Sequence, residues 1–476
     1  MRFTFIGHAC LYVETDSGSL IVDPWLVGSV GWRSWWHYPP IGELDPAWLE
    51  PDFVYLTHHH PDHFHYPSLR KLDPRASVYV GKFGVDVMRA ELRKLGFGRV
   101  TELAHGERVQ LTPDLEIASY QYGFDDTAVV VRSGDVVIAD VNDCKIRGRA
   151  ADQILEDWGR PTFMLKTFSW AQGYPYCYTA DDPADLTLVT RESPMQDFVD
   201  VARHLQPRYA IPFASLVAFL HPETRDLNQH AVTPAELVDY VAKVGGLGDT
   251  ELVPLDPGSA WTPEGGFELR AGDWWTDREA RLEEEVERIQ PTLDRQAALE
   301  ATRTLDFRTF ADYFEEFARA VPYPVRKATL GRPIVFEVPT GVDGNGTRPF
   351  WSIDLPRRRV LALDAPPDDA ACIIRIPEGV LAEAIDSRIT HFAQGSMRIR
   401  THLKPGGATV DLAFWGLIMV WEIGYLPIRN DLHLRFFDAL WRRRREAYDS
   451  IAALTSRGEG GMLERMAGNF SPPAEA

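Results

Sequence analysis

The first 260 residues alternate apolar and polar positions in short runs, the period-two pattern of strands with one buried face. Arg2–Ile6 and Cys10–Thr15 read as a first hairpin, and Ser19–Val22 as a third strand ending at Asp23-Pro24. The apolar run Phe53–Leu56 predicts another strand; Ser77–Val80, Leu115–Tyr120, Ala128–Val131 and Val136–Ala139 continue the series. Between them, Pro67–Leu72, Val85–Leu95 and Met195–Leu205 carry apolar residues at helical spacing. Strands with interposed helices predict a layered α/β sandwich over residues 1–260.

The pattern then changes. Asp277–Leu305 is rich in Glu, Arg, Ala and Leu, and predicts a solvated helix, so residues 261–305 read as a helical linker. Residues 306–455 read as a smaller α+β domain. Pro333–Val338 and Phe350–Leu355 predict paired strands around the glycine-rich turn Gly341–Gly346, and Ala371–Ile376 a third strand. Pro377–Asp386 has helical spacing, His391–Ile399 is a short turn into a strand, and Phe436–Ala447 is a helix with a basic solvated face. The Gly- and Pro-containing tail 456–476 is expected to be flexible.

Length and charge narrow the function. A chain of 476 residues is too long for one ordinary core. Its 50 basic and 69 acidic residues give a net charge of −19, which argues against nonspecific nucleic-acid binding and anionic membrane surfaces. No apolar run approaches the ~18 residues of a membrane span, and the N-terminus reads as a strand rather than a signal peptide. The scattered Cys10, Cys144, Cys177 and Cys372 make neither a disulfide framework nor a Cys-x-x-Cys site, so a cytoplasmic location is expected.

The chemistry concentrates in Thr57-His58-His59-His60-Pro61-Asp62-His63, directly after Phe53–Leu56. A strand ending in a turn can aim His58 and His60 the same way, because alternate residues share a face. Asp62 and His63 then come round on the turn and can face a second ion. Imidazoles with a carboxylate suit zinc or iron. An incidental histidine-rich loop is the plainer reading, and the internal position after a strand disfavours it. His59 and His65 read as neighbours of the ligands.

This His-x-His-x-Asp-His pattern resembles the signature of the metallo-β-lactamase superfamily, which implies an αββα sandwich. The resemblance assigns Asp23 a structural role, orienting the histidine loop. It makes Asp143, in Ile138–Cys144, the carboxylate bridging two metals, with Asp140 behind it. Where the superfamily has a later histidine, this chain has Ala118–Asp126 and none, so Asp125 or Asp126 would substitute. Where it has a final histidine, this chain has Ala214, and the nearest one beyond is His221. Asp23-Pro24-Trp25-Leu26, Val141–Cys144, Leu205–Arg208 and Pro212–Ala214 are similar to the corresponding domain of the sialic acid hydroxylases (CMP-N-acetylneuraminate monooxygenases). More distantly the domain resembles the ascorbate-6-phosphate lactonases. Residues 330–405 resemble a sterol-carrier-like fold, which implies an apolar ligand or a purely packing or dimerising role.

That resemblance implies a non-haem dimetal oxygenase, with iron favoured, that hydroxylates or N-oxygenates a small polar, anionic substrate. His58, His60 and Asp125 would hold one ion, Asp62, His63 and His221 the other, and Asp143 would bridge. Dioxygen would be consumed. The sialic acid hydroxylases carry a Rieske centre, but none of the four cysteines here has the paired histidines of one. Electrons are therefore expected from a separate reductase or ferredoxin. The alternatives are a zinc or manganese hydrolase acting on an ester, lactone or phosphodiester, and a ligand-binding protein with a degenerate site. Trp35 and Trp36 could close over a substrate or pack between domains, Tyr174 could line the pocket, and Lys166 and Arg208 could meet an anion. A homodimer is a further expectation.

Overall fold

Two sheets, facing each other, organise the unit formed by Met1–Ala171 and Arg191–Glu287. The computed structural model describes residues 1–170, 172–270, 272–329, 331–339 and 349–428. The Gly341–Gly346 turn, the Phe436–Ala447 helix and the tail lie outside the described residues.

The strands, in chain order, are β1 (Arg2–Gly7), β2 (Cys10–Thr15), β3 (Gly18–Val22), β4 (Trp35–His37), β5 (Phe53–Leu56), β6 (Ser77–Gly81), β7 (Arg99–Leu103), β8 (Arg108–Thr112), β9 (Leu115–Tyr122), β10 (Asp126–Ser133), β11 (Val136–Asn142) and β12 (Phe163–Lys166). They continue with β13 (Tyr178–Ala180), β14 (Tyr209–Pro212), β15 (Val217–Phe219), β16 (Glu251–Leu252), β17 (Ala260–Thr262) and β18 (Gly266–Glu268). One sheet runs β18-β17-β1-β2-β3-β5-β6-β7, the other β16-β14-β12-β11-β10-β9-β8, and β15 pairs with β4 apart from both.

Alternation explains the layering. Phe3, Phe5, Leu11, Val13, Leu20 and Val22 point from the first sheet into one core with Ile117, Val129, Val131, Ile138 and Leu165 of the second. Their sequence neighbours Ile6, Tyr12, Ile21 and Val54 point the other way, onto a core closed by α1 (Tyr66–Leu69) and α2 (Met88–Lys94). The second sheet is covered by α3 (Arg149–Trp158), α4 (Ser193–Leu205) and α5 (Pro234–Lys243), which bury Ile154, Phe198, Ala202 and Leu237. Burying each such aliphatic or aromatic side chain contributes about 1.5–3 kcal/mol. This is the αββα sandwich of the metallo-β-lactamase fold.

The sheet does not stop at residue 260. β17 pairs with β1, with Phe3 opposite Trp261, and β18 pairs with β17. The expected linker 261–305 therefore begins with a hairpin of the sandwich, held by Phe3, Phe163 and Trp261 at ring distances of 4.8–5.9 Å. The helical character belongs to α6 (Arg278–Glu300).

The second unit comprises Gln172–Thr190 and the chain from Arg288. Its helices are α7 (Phe307–Ala320), α8 (Tyr323–Thr329), α9 (Glu378–Ser387), α10 (Phe392–Ser396) and α11 (Gly407–Ile423). Its further strands are β19 (Ile334–Glu337), β20 (Phe350–Asp354), β21 (Arg359–Leu363), β22 (Cys372–Arg375) and β23 (Arg400–Leu403), in the order β13-β23-β22-β19-β20-β21. Phe310, Phe314, Phe317, Phe336 and Phe414 pack ring against ring under this sheet. The segment expected as a turn after His391 forms α10. β13, flanked in sequence by first-unit residues, pairs in parallel with β23.

Candidate metal centre

The histidine loop starts where β5 ends, and its shape is set by Asp23 at the end of neighbouring β3. Asp23 Oδ1 accepts the Thr57 backbone N–H at 2.8 Å. Its Oδ2 accepts the Thr57 hydroxyl at 2.6 Å and lies 2.7 Å from His63 Nδ1. A carboxylate on Nδ1 fixes the ring and leaves Nε2 for a ligand. That Nε2 is buried without a hydrogen-bond partner.

Six side chains form two groups with metal-ligand spacing: His58, His60 and Asp143 in one, His8, Asp62 and His63 in the other, each with its donor atoms within 4.8 Å of one another. Asp143 faces both. Its Oδ2 lies 3.7 Å from His58 Nε2 and its Oδ1 3.5 Å from His63 Nε2. Asp126, the first residue of β10, brings Oδ1 to 3.5 Å from His58 Nδ1. Like His63 Nε2, Asp126 Oδ1 and Asp143 Oδ1 are buried and lack hydrogen-bond partners. Orphaned acceptors of this kind are costly unless something cationic meets them. The donor set thus fits a pair of metal ions.

The electrostatics agree. Burial pushes the His58 and His60 imidazoles down to about 4, aided by a neighbouring histidine in each case, so both are neutral and able to ligate. Burial would raise Asp143, but His58 and His63 outweigh it and hold the carboxyl below its usual range. Asp62 is held low in the same way by His63 and His8. Burial would lower His63, yet Asp62, Asp143 and Asp23 raise it well above normal. Burial, then Asp143 and Asp125, pushes Asp126 up. The carboxylates thus draw positive charge onto His63, the charge that metal cations would supply.

Left-handed backbone at residues other than glycine also gathers here. Asp23, Asn142, Ala214 and His8 have φ of 45°, 43°, 48° and 49°. Such strain tends to mark functional sites.

Other residues named from the sequence belong to neither ligand group. Asp126 rather than Asp125 faces His58; Asp125 sits in the turn before β10 and acts on His60 through its charge. His221 follows β15, belongs to neither ligand group, and its Nδ1 accepts the Glu223 N–H at 3.2 Å. Asp140 is fully buried, accepts the Asn142 N–H at 3.1 Å, and is pushed up by burial and Asp23. Lys166 is fully buried in an ion pair with Asp197 at 2.9 Å, and Arg147 takes the other oxygen at 2.8 Å. Arg208 precedes β14 at the end opposite the centre, exposed, its guanidinium over Tyr209. Trp35 and Trp36 are buried in β4 against β15. Tyr174 belongs to the second unit, where its hydroxyl donates to Asp185 O at 2.6 Å. Missed from the sequence were His8, alone in a hairpin turn, and Lys145. Lys145 donates to Asp143 O at 3.2 Å and lies 5.5 Å from the Trp170 ring.

Residues 2–179 match the family model described as the beta-lactamase superfamily domain. The chain is 27% identical over 388 residues to a Mycobacterium tuberculosis protein named for a Rieske 2Fe-2S iron–sulfur centre, covering 71% of this chain and 72% of that one. It is 26% identical over 261 residues to the cytidine monophosphate-N-acetylneuraminic acid hydroxylase of Danio rerio, covering 51% of this chain and 43% of the hydroxylase. Among solved structures it resembles CmlA, a diiron β-hydroxylase from Streptomyces venezuelae, at 17% identity and a TM-score of 0.37, over 54% of this chain and 53% of CmlA. Among the described residues, no helix is long and apolar enough to cross a membrane.

Proposed function

We propose that this chain is a dimetal oxygenase that holds two iron ions and hydroxylates or N-oxygenates a small polar, anionic substrate. The donor set carries this reading. Asp62 and Asp143 share the centre with its imidazoles, and carboxylates in the donor set favour iron or manganese over an all-histidine zinc site. The similarity to a hydroxylase, over about half of this chain, supports the same class.

His58 and His60 would hold one ion, Asp62 and His63 the other, and Asp143 would bridge, while Asp126 stands on the Nδ1 side of His58 and would orient that ring. Bound there, reduced iron supplies the redox chemistry that lets one oxygen atom of dioxygen enter the substrate while the other leaves as water. The balance takes two electrons and two protons from outside. A separate reductase or ferredoxin would deliver the electrons. The protein's own part is positioning. Asp23 holds His63 in one tautomer and orientation. His60 and Asp143 are half-buried while Asp62 and His63 are buried, which leaves one side open to a substrate. Lys145, on the Asp143 loop, suits an anionic group there.

The second reading is a zinc or manganese hydrolase, in which water acidified between two cations attacks an ester, lactone or phosphodiester. Three imidazoles around Asp143 favour it. Elemental analysis after anaerobic iron loading, with oxygen uptake on adding a reductant, separates the two. Two irons per chain and reductant-dependent oxygen consumption are expected. Zinc retained without iron, with ester or phosphodiester cleavage, would establish the hydrolase instead.

A further inference from the structure

We propose that His8, in the turn between β1 and β2, is a ligand of the second metal ion and fills the place that the family resemblance would give to His221. This rests on the two-metal reading above but not on the choice between oxygenase and hydrolase.

Without His8 the two halves of the centre are unequal. One has His58 and His60 beside Asp143; the other has His63 alone beside Asp62. His8 Nε2 lies 3.0 Å from Asp62 Oδ2, and the same oxygen lies 3.4 Å from the unpartnered His63 Nε2. The three groups thus converge, and Asp143 Oδ1 faces them from the bridging side at 3.5 Å from His63 Nε2. With His8 each ion would have two imidazoles and a share of Asp143, and the second would have Asp62 as well.

The fold presses this turn inward. Gly7 has φ 154°, and a Cβ there would come within 2.6 Å of Ile41 Cγ2 and 3.2 Å of His37 Nδ1, so only glycine allows the approach. His8 follows in the left-handed region, with φ 49° and 1% exposure. The Ala214 N–H donates to His8 O at 2.8 Å, which ties the turn to the loop after β14. The ring is boxed edge-on by Trp25, Trp35 and His63 at 5.4, 6.5 and 5.9 Å. A side chain locked in this way is pre-organised for ligation. Its Nδ1, buried without a partner, carries the proton when Nε2 faces the metal. A plain His8–Asp62 hydrogen bond would explain one distance, but neither the convergence on His63 Nε2 nor the left-handed backbone held around it.

The test is anaerobic loading with Fe2+, followed by desalting and elemental analysis of the full chain, with far-UV circular dichroism as the folding check. The wild-type chain should hold two ions. His8→Gly suits φ 49° and removes the ring; it should hold one, with the second ion's affinity reduced by more than about 100-fold. Added imidazole should restore the second ion. His8→Gln keeps a polar group beside Asp62 and should also hold one, while His221→Ala should hold two. Two ions of unchanged affinity in both His8 variants overturn the assignment and leave the two-metal reading standing. A wild-type chain that binds no iron, zinc or manganese overturns that reading and the assignment together.

Discussion

The two units bury carboxylates in opposite ways. In the first, Asp126 and Asp143 each keep a buried oxygen without a hydrogen-bond partner, facing a histidine nitrogen that also lacks one or is held neutral. In the second, Asp411 is equally buried, but Tyr178 O–H donates to it at 2.8 Å, Trp415 N–H at 3.1 Å and Cys372 S–H at 3.7 Å. Glu422 likewise accepts from the Tyr313 and Thr390 hydroxyls, the Thr390 and His391 backbone N–H groups and the His391 ring. Burial alone therefore does not mark a site. Open valence beside imidazole nitrogens distinguishes the two sets: the acids of the second unit are closed by the protein, and those of the first are not.

The largest test of this contrast removes the acid shared by both ligand groups. Asp143→Ala should weaken both ions by more than about 100-fold, or roughly 2.7 kcal/mol each, read by metal titration. Unchanged metal content would mean that the open valences are not ligands. Next is the closed set. Asp411→Ala leaves the Tyr178 and Trp415 donors unpaired, which should cost roughly 2–4 kcal/mol of stability, while metal content stays at the wild-type value. Denaturant unfolding and elemental analysis check the two halves.

Asp411 also predicts a pH effect. Burial pushes its carboxyl up to about 7 from 3.8. The folded protein therefore holds this proton more tightly than the unfolded chain. The stabilisation is complete below pH ~4 and is lost as pH rises through about 7, a swing of roughly 4 kcal/mol at most. Asp411→Asn should flatten this part of the stability profile; an unchanged slope between pH 4 and 7 would remove Asp411 as its source. A smaller effect is expected at Asp23→Asn, which loosens His63 without removing a ligand. Metal affinity should fall by about 10- to 100-fold, and a fall as large as that of Asp143→Ala would make Asp23 a ligand itself. The smallest is Arg208→Ala, exposed and away from the centre. It should change stability by less than about 0.5 kcal/mol and leave substrate KM unchanged.

Much of the sandwich was legible because its strands alternate cleanly. Phe3, Phe5, Leu11 and Val13 face one core while Ile6 and Tyr12 face the other. The boundary was not legible. Trp261 lies in a stretch without helical or strand periodicity, yet it packs on Phe163 at 4.8 Å and carries the sheet past residue 260. The insertion of β13 into the second unit left no local trace either, since strand pairing across 220 residues of chain is a long-range choice.

The centre divides in the same way. His58, His60, Asp62 and His63 lie within six residues, so their spacing alone defined a ligand pattern. His8 and Lys145 are single residues in turns, with nothing beside them in sequence to mark them. Asp125 and Asp126 are adjacent acids, and the fold brings Asp126 to His58 and the charge of Asp125 to His60. The sequence by itself determined the metal-binding loop and the alternation that builds the sandwich, because both are local. Only the tertiary structure decided which distant side chains converge on that loop, because convergence depends on how strands pair and turns press inward.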